Sequence, residues 1–314
     1  MASAIVYTEF GSPDVLHLIE VPDPVAARGE VVVRIEAAGA NPIDAKMRSG
    51  KRPSPPITEP RPVGFDGAGI VEALGEGVDD FAVGDRVAIR DGRGTYASAL
   101  AISTENLAKL PDSVTTAEGA AIGIPAGTAY QSLRSLDVSG SDVLLVHGGS
   151  GAVGQAAVQF AVAWGTTVIA TASSARHEQL RELGAIPVAY GDGLLDRVRE
   201  AAPSAVTVAL DCAGTDEAIE TSLALMADRE RIATIVRGPD AASFGIRAFS
   251  GGSPVPLTDQ ELAWRAEALP ETIALLSTGD FVVDLGPQLP LAEAAQAHEL
   301  MEPGAASGKI ILLP

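Results

Sequence analysis

The chain has a single cysteine, Cys212, among its 314 residues. No intrachain disulfide can form, and a zinc site built from several cysteines is excluded. Such sparse cysteine fits a reducing cytoplasm. Basic residues are also scarce: 22 Lys and Arg stand against 41 Asp and Glu, for a net charge of −19. That balance argues against nucleic acid or an anionic membrane as partner. The acids are scattered rather than blocked, and read as a solubilising surface. The start, Met1-Ala-Ser-Ala-Ile-Val6, lacks a basic region ahead of a long apolar core, so no secretory signal is evident. Internal repeats and low-complexity tails are missing as well. The length suits about two domains.

Charge is absent altogether from Val143 to Ala175. A membrane span would account for that, but glycines, glutamines and a strand–turn–helix–strand rhythm fit a buried βαβ unit better. Val143 to Val146 is an apolar run of strand length, and Val153, Ala157, Phe160 and Trp164 recur at helical spacing. Between them Gly149, Gly151 and Gly154 match G-x-G-x-x-G. Set between a buried strand and an amphipathic helix, that pattern is the context a dinucleotide site requires. Glycine permits a tight turn and lets the backbone approach a pyrophosphate, whose charge meets free N–H groups at the helix start. A glycine-rich turn that binds nothing is the plain alternative.

An NAD site usually places an acid roughly 20 residues beyond the motif, to hold the ribose hydroxyls. Here that region reads Thr171-Ala-Ser173-Ser174-Ala-Arg176-His177, and the first acid is Glu178. Small hydroxyls beside an arginine suit a 2′-phosphate, so NADP is the expected cofactor. A solvated helix start explains the same residues without a ligand.

Up to about Pro111 the chain is a run of short strands and punctuated turns, which suggests a small barrel-like β domain. Strands are expected at Ala4–Glu9, Val15–Val21, Glu30–Ala37 and within Val63–Leu74, with a short helix from Pro42 to Met47. Arg52 to Pro62 holds five prolines in eleven residues and reads as an ordered loop. From about Thr115 alanine-rich helices alternate with apolar strands at Val143–Val146, Val168–Ala170, Pro187–Tyr190, Val206–Leu210 and Ile232–Val236. Alternation of this kind implies a parallel sheet covered by helices, with ligands at the carboxyl ends of its strands. Thr258 and Glu261 are spaced as a capping box for a further helix. Leu291–Met301 reads as a helix and Gly308–Leu313 as a closing strand.

Several stretches, in order along nearly the whole chain, resemble the medium-chain dehydrogenase/reductase family and its zinc-independent quinone oxidoreductase (zeta-crystallin-like) branch. They are Asn41-Pro-Ile-Asp44 with Arg48-Ser-Gly50, Gly64-Phe-Asp66-Gly-Ala-Gly69, Val83-Gly-Asp-Arg-Val87 and Gly127-Thr128-Ala129-Tyr130. His147–Gly154, Asp211-Cys-Ala-Gly214, Leu291–His298 and Gly308-Lys309-Ile310 complete the set. The resemblance implies an α/β protein: a Rossmann doubly wound parallel sheet, residues 119–254, plus a GroES-like β-barrel catalytic domain. Residues 1–118 and a return segment, 255–314, would form the latter. It implies NADPH as cofactor, with Asn41 and Thr128 near the nicotinamide and Gly149, Ser150, Gly151, Ala152 and Val153 at the pyrophosphate. Ser173, Ser174 and Arg176 would hold the 2′-phosphate, Tyr190 would lie at the adenosine end, and Cys212, Ala213, Gly214, Phe244 and Gly245 would line the nicotinamide side. Zinc-dependent relatives carry a histidine and a glutamate where this chain has Phe65 and Asp66, and their cysteine near residue 39 is absent. The branch often shows a tyrosine after its Ser-Gly; here Arg52 stands there, which makes Arg52 a candidate substrate contact alongside Asn41.

The expectation is therefore a zinc-independent NADPH-dependent reductase of quinones or similar electron-poor small molecules. No catalytic side chain is assigned, because a reduced quinone takes its proton from water. Relatives commonly dimerise. Two rivals stand beside it: an enoyl or alkenal double-bond reductase, and a non-catalytic NADPH sensor or interaction protein. His147 is expected to pack or cap, His17, His177 and His298 to be solvated, and Cys212 to be buried and inert. Asp44 could donate or position a proton, and an Asx-type helix start explains it equally well, while Asp66 and Asp85 are expected to stabilise turns.

Overall fold

The computed structural model describes residues 1–249, 253, 255–301 and 307–314. Its packing divides the chain into two units, Met1–Ile124 with Leu269–Pro314, and Pro125–Ala268. Breaks were expected after 118 and 254, and residue 254 lies outside the described residues. Both observed passages fall inside helices, α2 (Thr116–Ser135) and α8 (Asp259–Thr278), which contain Pro125 and Pro270. A proline removes one helical N–H and crowds the preceding turn, so each passage sits beside a weak point of its helix.

The first unit is mostly antiparallel. β1 (Ala2–Tyr7), β2 (His17–Val21) and β4 (Arg61–Pro62) make a three-stranded sheet. The larger sheet has seven strands. It joins β3 (Glu30–Gly39), β5 (Asp66–Leu74), β6 (Arg86–Ile89), β7 (Ala99–Ser103) and β8 (Leu107–Lys109) to β15 (Leu285–Pro290) and β16 (Lys309–Leu313). Val31, Val33 and Ile35 alternate along β3 and pack with Val71, Val87 and Ile89 in the core. Burying each such side chain stabilises by about 1.5–3 kcal/mol. α1 (Pro42–Arg48) and α9 (Ala294–Leu300) complete the unit. The proline-rich segment is a loop over most of its length, tied down by Arg61, whose guanidinium donates to Ser54 Oγ (3.1 Å) and Pro56 O (3.0 Å).

The second unit is a fully parallel six-stranded sheet. Its strands are β9 (Val143–His147), β10 (Thr167–Ala172), β11 (Ile186–Ala189), β12 (Val208–Asp211), β13 (Ile232–Thr234) and β14 (Arg247–Ala248). In space they run β11-β10-β9-β12-β13-β14. Strand order therefore reverses between β9 and β12, the switch point where open α/β sheets bind ligands. Helices α3 (Ala152–Ala163), α4 (His177–Glu182), α5 (Leu194–Ala201), α6 (Asp216–Leu225) and α7 (Gly238–Phe244) connect the strands. All five residues of β9 are buried, as a strand covered on both faces requires. Among the described residues no helix is long and apolar enough to cross a membrane.

Candidate functional site

The glycine loop leaves β9 through Gly148, whose φ of +72° is the left-handed turn that glycine allows without strain. Two bonds fasten it to the end of β10: Gly148 N–H donates to Thr171 Oγ1 (3.1 Å) and Gly149 N–H to Thr171 O (2.9 Å). Gly151 then caps α3 without any side-chain hydrogen bond. The first-turn amides of Ala152 and Val153 have no acceptor within the helix. A Cβ placed on Gly151 would meet nothing nearer than Gly148 O at 3.5 Å, so the face above these amides is open. A Cβ on Gly154 would instead lie 2.2 Å from Gly148 O. The second glycine of the motif thus leaves room outside, and the third lets helix and loop touch.

Other expected residues gather on the same edge of this sheet. Ser173 opens the turn Ser174–Arg176 just after β10. Arg176 is half-buried there and donates to Gln179 Oε1 (3.2 Å). Gln179 donates to Gln155 Oε1 (3.3 Å), and Gln155 to Ser150 O (2.8 Å). A polar chain thus connects the arginine turn to the glycine loop. Tyr190 follows β11 and is 60% exposed. Its loop is pinned by Arg197, which donates to the carbonyls of Ala189, Gly191 and Asp192, and by Glu217, which accepts from Gly191 N–H. Cys212, Ala213 and Gly214 follow β12. Asp211 fixes that turn, accepting from Ala213 N–H (2.9 Å) and Gly214 N–H (2.8 Å) through one oxygen and from Thr234 Oγ1 (2.7 Å) through the other. Cys212 is half-buried, and its thiol is pushed well above the usual range by loss of solvent and by the neighbouring Asp211. Thr128, on α2 in the same unit, is buried and accepts from Arg265 (3.3 Å).

Phe244 and Gly245 need correction. They end α7, which carries the chain back from β13 to the start of the parallel strand β14. Parallel neighbours require that return, so the pair lies at the opposite edge of the sheet from the glycine loop. Phe249, just past β14, is on the loop's edge instead.

Asn41 and Arg52 belong to the other unit. Arg52 is half-buried after α1, its N–H donating to Lys46 O (3.1 Å). Asn41 sits in a buried polar cluster that sequence reading did not assemble. Its Nδ2 donates to Gly39 O (3.1 Å) and Asp66 Oδ2 (2.9 Å), and its Oδ1 accepts from Lys309. Lys309 lies 3.5 Å from Asp66 Oδ2, with side-chain exposures of 4% and 0%. Asp66 also accepts from Ile124 N–H (2.8 Å). Asp66 is therefore not a turn residue but the buried centre of a β5 network. Burial raises its pKa and lowers that of Lys309, and in each case the partner's charge opposes the shift. Asp85, by contrast, does brace a turn, accepting from Ala82 N–H (2.9 Å).

Next to this cluster Asp44 accepts from Asn41 N–H (2.9 Å) and from Tyr96 OH (3.1 Å). Burial raises Asp44 to about 7. His298 was expected in solvent; it is buried, edge-on to Tyr96, with Nε2 3.4 Å from the Tyr96 hydroxyl. Burial and the charge of Arg48 lower it to about 3. His147 is likewise buried at the end of β9, with Nε2 3.1 Å from Ser222 Oγ. A packing role is what that environment suits. Lys309 and His298 stood out only within the family-like stretches Gly308–Ile310 and Leu291–His298, and nothing local pointed to Tyr96.

A mostly antiparallel β unit and a parallel sheet whose strand order reverses at a glycine loop, on one chain, are the architecture of a medium-chain dehydrogenase/reductase. The family described as the alcohol dehydrogenase GroES-like domain matches residues 27–112, and that described as zinc-binding dehydrogenase matches 152–252. Quinone oxidoreductase of Sus scrofa is 32% identical, covering 100% of this chain and 98% of that protein. Quinone oxidoreductase of Pseudomonas aeruginosa is 33% identical, with 100% of each covered. Escherichia coli quinone oxidoreductase, solved in complex with NADPH, is 28% identical with a TM-score of 0.83, over 99% of this chain and 100% of that one. The chain belongs to the quinone oxidoreductase family of the medium-chain dehydrogenases/reductases.

Proposed function

We propose that the protein is a zinc-independent, NADPH-dependent reductase of quinones or similarly electron-poor small molecules. The observation that carries this reading is the open face above the Ala152 and Val153 amides at the switch point of the sheet. No Asp, Glu, Lys or Arg lies between Val143 and Ala175, so the positive end of α3 is the local field an anion meets. Gly149 to Val153 would hold the pyrophosphate. Ser173, Ser174 and Arg176 would hold the 2′-phosphate, Tyr190 would face the adenosine, and Cys212 to Gly214 the nicotinamide half. Bound there, the reduced nicotinamide supplies the hydride, and the protein supplies orientation.

The carboxylate of Asp66, where zinc-dependent relatives carry a ligand, is committed to Lys309, Asn41 and the Ile124 amide. Reduction of a saturated ketone needs an electrophile at its oxygen, whereas a quinone gives a stabilised oxyanion that water protonates. Arg52 would favour a polar or anionic acceptor. The same reading places the enzyme in the cytoplasm as a homodimer; its one cysteine, with a thiol of raised pKa, suits a reducing compartment.

NADPH and NADH oxidation across quinones, 2-enals, enoyl thioesters and a saturated ketone tests the proposal. Quinones with NADPH should be the fastest pair, and turnover of the ketone alone would overturn it. Arg176→Ala should lower the NADPH-to-NADH ratio of kcat/KM about ten- to hundredfold, the value of a charge-assisted hydrogen bond. An unchanged ratio would remove Arg176 from the 2′-phosphate site.

A further inference from the structure

Arg176, Gln179, Gln155 and Ser150, all in the second unit, form a chain of hydrogen bonds with a fixed direction. The arginine donates to Gln179 Oε1 (3.2 Å), Gln179 Nε2 donates to Gln155 Oε1 (3.3 Å), and Gln155 Nε2 donates to Ser150 O (2.8 Å). One end is a guanidinium, which can only donate, and the other a main-chain carbonyl, which can only accept. Reversing either amide, or both, would set donor against donor or acceptor against acceptor. The two ends therefore hold both glutamines in a single orientation.

The chain ends on a peptide of the glycine loop. Gln155 holds the oxygen of the Ser150–Gly151 peptide, and the N–H of the same peptide donates to Gly148 O (3.1 Å). That peptide leads directly into the amides of Ala152 and Val153. Gln155 stands in the first turn of α3 and is 5% exposed. Burying a side-chain amide costs free energy unless its polar atoms are bonded. An apolar side chain would fill the place without that cost, so packing alone is a poor account of a glutamine here. Arginine is rich in rotamers, and fixing it before a ligand arrives lowers the cost of binding.

We propose that Gln155 and Gln179 are positioning residues: they tie the Arg176 guanidinium to the main chain of the glycine loop, so that discrimination between a 2′-phosphate and a 2′-hydroxyl is set in part by that loop. This inference rests on the NADPH reading above, in which Arg176 meets the 2′-phosphate and the loop meets the pyrophosphate. The two glutamines have different shares. Gln179 acts on Arg176, whereas Gln155 acts on the loop and, through Gln179, on the arginine.

Fluorescence titration with NADPH and with NADH tests this on Gln179→Met, Gln155→Met, Arg176→Ala and Gln179→Met/Arg176→Ala. In Gln179→Met the NADPH Kd should rise about fivefold, the scale of one ordinary hydrogen bond, while the NADH Kd stays within about twofold. Gln155→Met should raise the NADPH Kd by at least as much and the NADH Kd by about threefold, because the loop is loosened for either dinucleotide. With Arg176 already replaced, Gln179→Met should move neither Kd by more than about twofold, since the group it orients is gone. An unchanged NADPH Kd in Gln179→Met, an equal loss of both dinucleotides there, or a full further loss on the Arg176→Ala background would each overturn the proposal. If Gln155→Met fails to fold with Ser150 O left unpaired, the half-buried Gln179 carries the test by itself. Arg176→Ala that binds NADPH as the wild type does would remove the 2′-phosphate site and the proposal with it. That result is distinct from a relay that fails while Arg176 still matters.

Discussion

Gly154→Ala should weaken NADPH binding about a hundredfold or more and lower the melting temperature, while Gly151→Ala should weaken binding alone. A methyl on Gly154 would lie 2.2 Å from Gly148 O and 2.8 Å from Gly149 Cα, both of them backbone atoms. Neither can swing aside as a flexible side chain does, so α3 or the loop must shift. Overpacking of this kind costs about 1–3 kcal/mol, or roughly 2–9 °C for a chain of this size. Displacing the Ala152 and Val153 amides should weaken NADPH by about a hundredfold or more, close to 3 kcal/mol. Gly151 separates binding from folding. Its φ of −76° suits alanine, and the added methyl would meet only Gly148 O, at 3.5 Å. The change should cost under about 1 kcal/mol as a cap substitution, yet it fills the space a pyrophosphate needs. Titration with NADPH and thermal melts of both variants check this. Gly151→Ala protein that binds NADPH as the wild type does would mean the loop is not the pyrophosphate site.

That motif was legible because its physics is local. Strand, turn and helix occupy residues 143–163, and each glycine answers to neighbours within six positions or to the next strand. The remaining edge of the sheet was legible where a strand ended in a recognisable turn, as at Ser173 and Cys212. It failed at Phe244 and Gly245 because the short helix α7 left no periodic signature, and without it the return to the opposite edge is invisible. β15 was missed for another reason. Pro287 and Pro290 argue against a strand, yet β15 pairs only with β16 at the sheet border, where proline is tolerated.

Asp66 shows where sequence reading runs out. Set among glycines, it has the look of a turn residue, and only the pairing of β3, β5 and β6 buries it. Its cation lies 243 positions away, and the tyrosine that meets His298 lies 202 away. Contacts of that span leave no local pattern in one sequence. The buried cluster of the first unit is therefore what required a structure.

Between pH 6.5 and 4.5 the two buried histidines should lose the stability they lend as acid is added, and His298→Gln should remove about half of that slope. His298 falls from 6.5 to about 3 and His147 from 6.5 to about 4, both chiefly through burial. Arg48 adds to the fall at His298, whereas Asp211 opposes it at His147. With folded values below the unfolded one, protons bind the unfolded chain preferentially as pH drops. The stability both rings lend is complete above pH 6.5 and is lost as pH falls toward their folded values. Each costs about 1.4 kcal/mol per pH unit within that window. Asp44 runs the other way. Raised from 3.8 to about 7, its contribution is complete below pH 3.8 and lost as pH rises through 7. Burial raises Asp66 as well, so acidification returns part of what the histidines lose through both carboxyls, and Asp44→Asn should remove the Asp44 share. Asp85 and Asp142, whose pKa values are lowered, act only below the ordinary carboxylate value of 3.8 and stay outside the window. Urea midpoints for the wild type and both variants at pH 7, 6, 5 and 4.5 measure the slopes. Parallel profiles for wild type and His298→Gln would show that this ring is already charged in the folded protein, or already solvated.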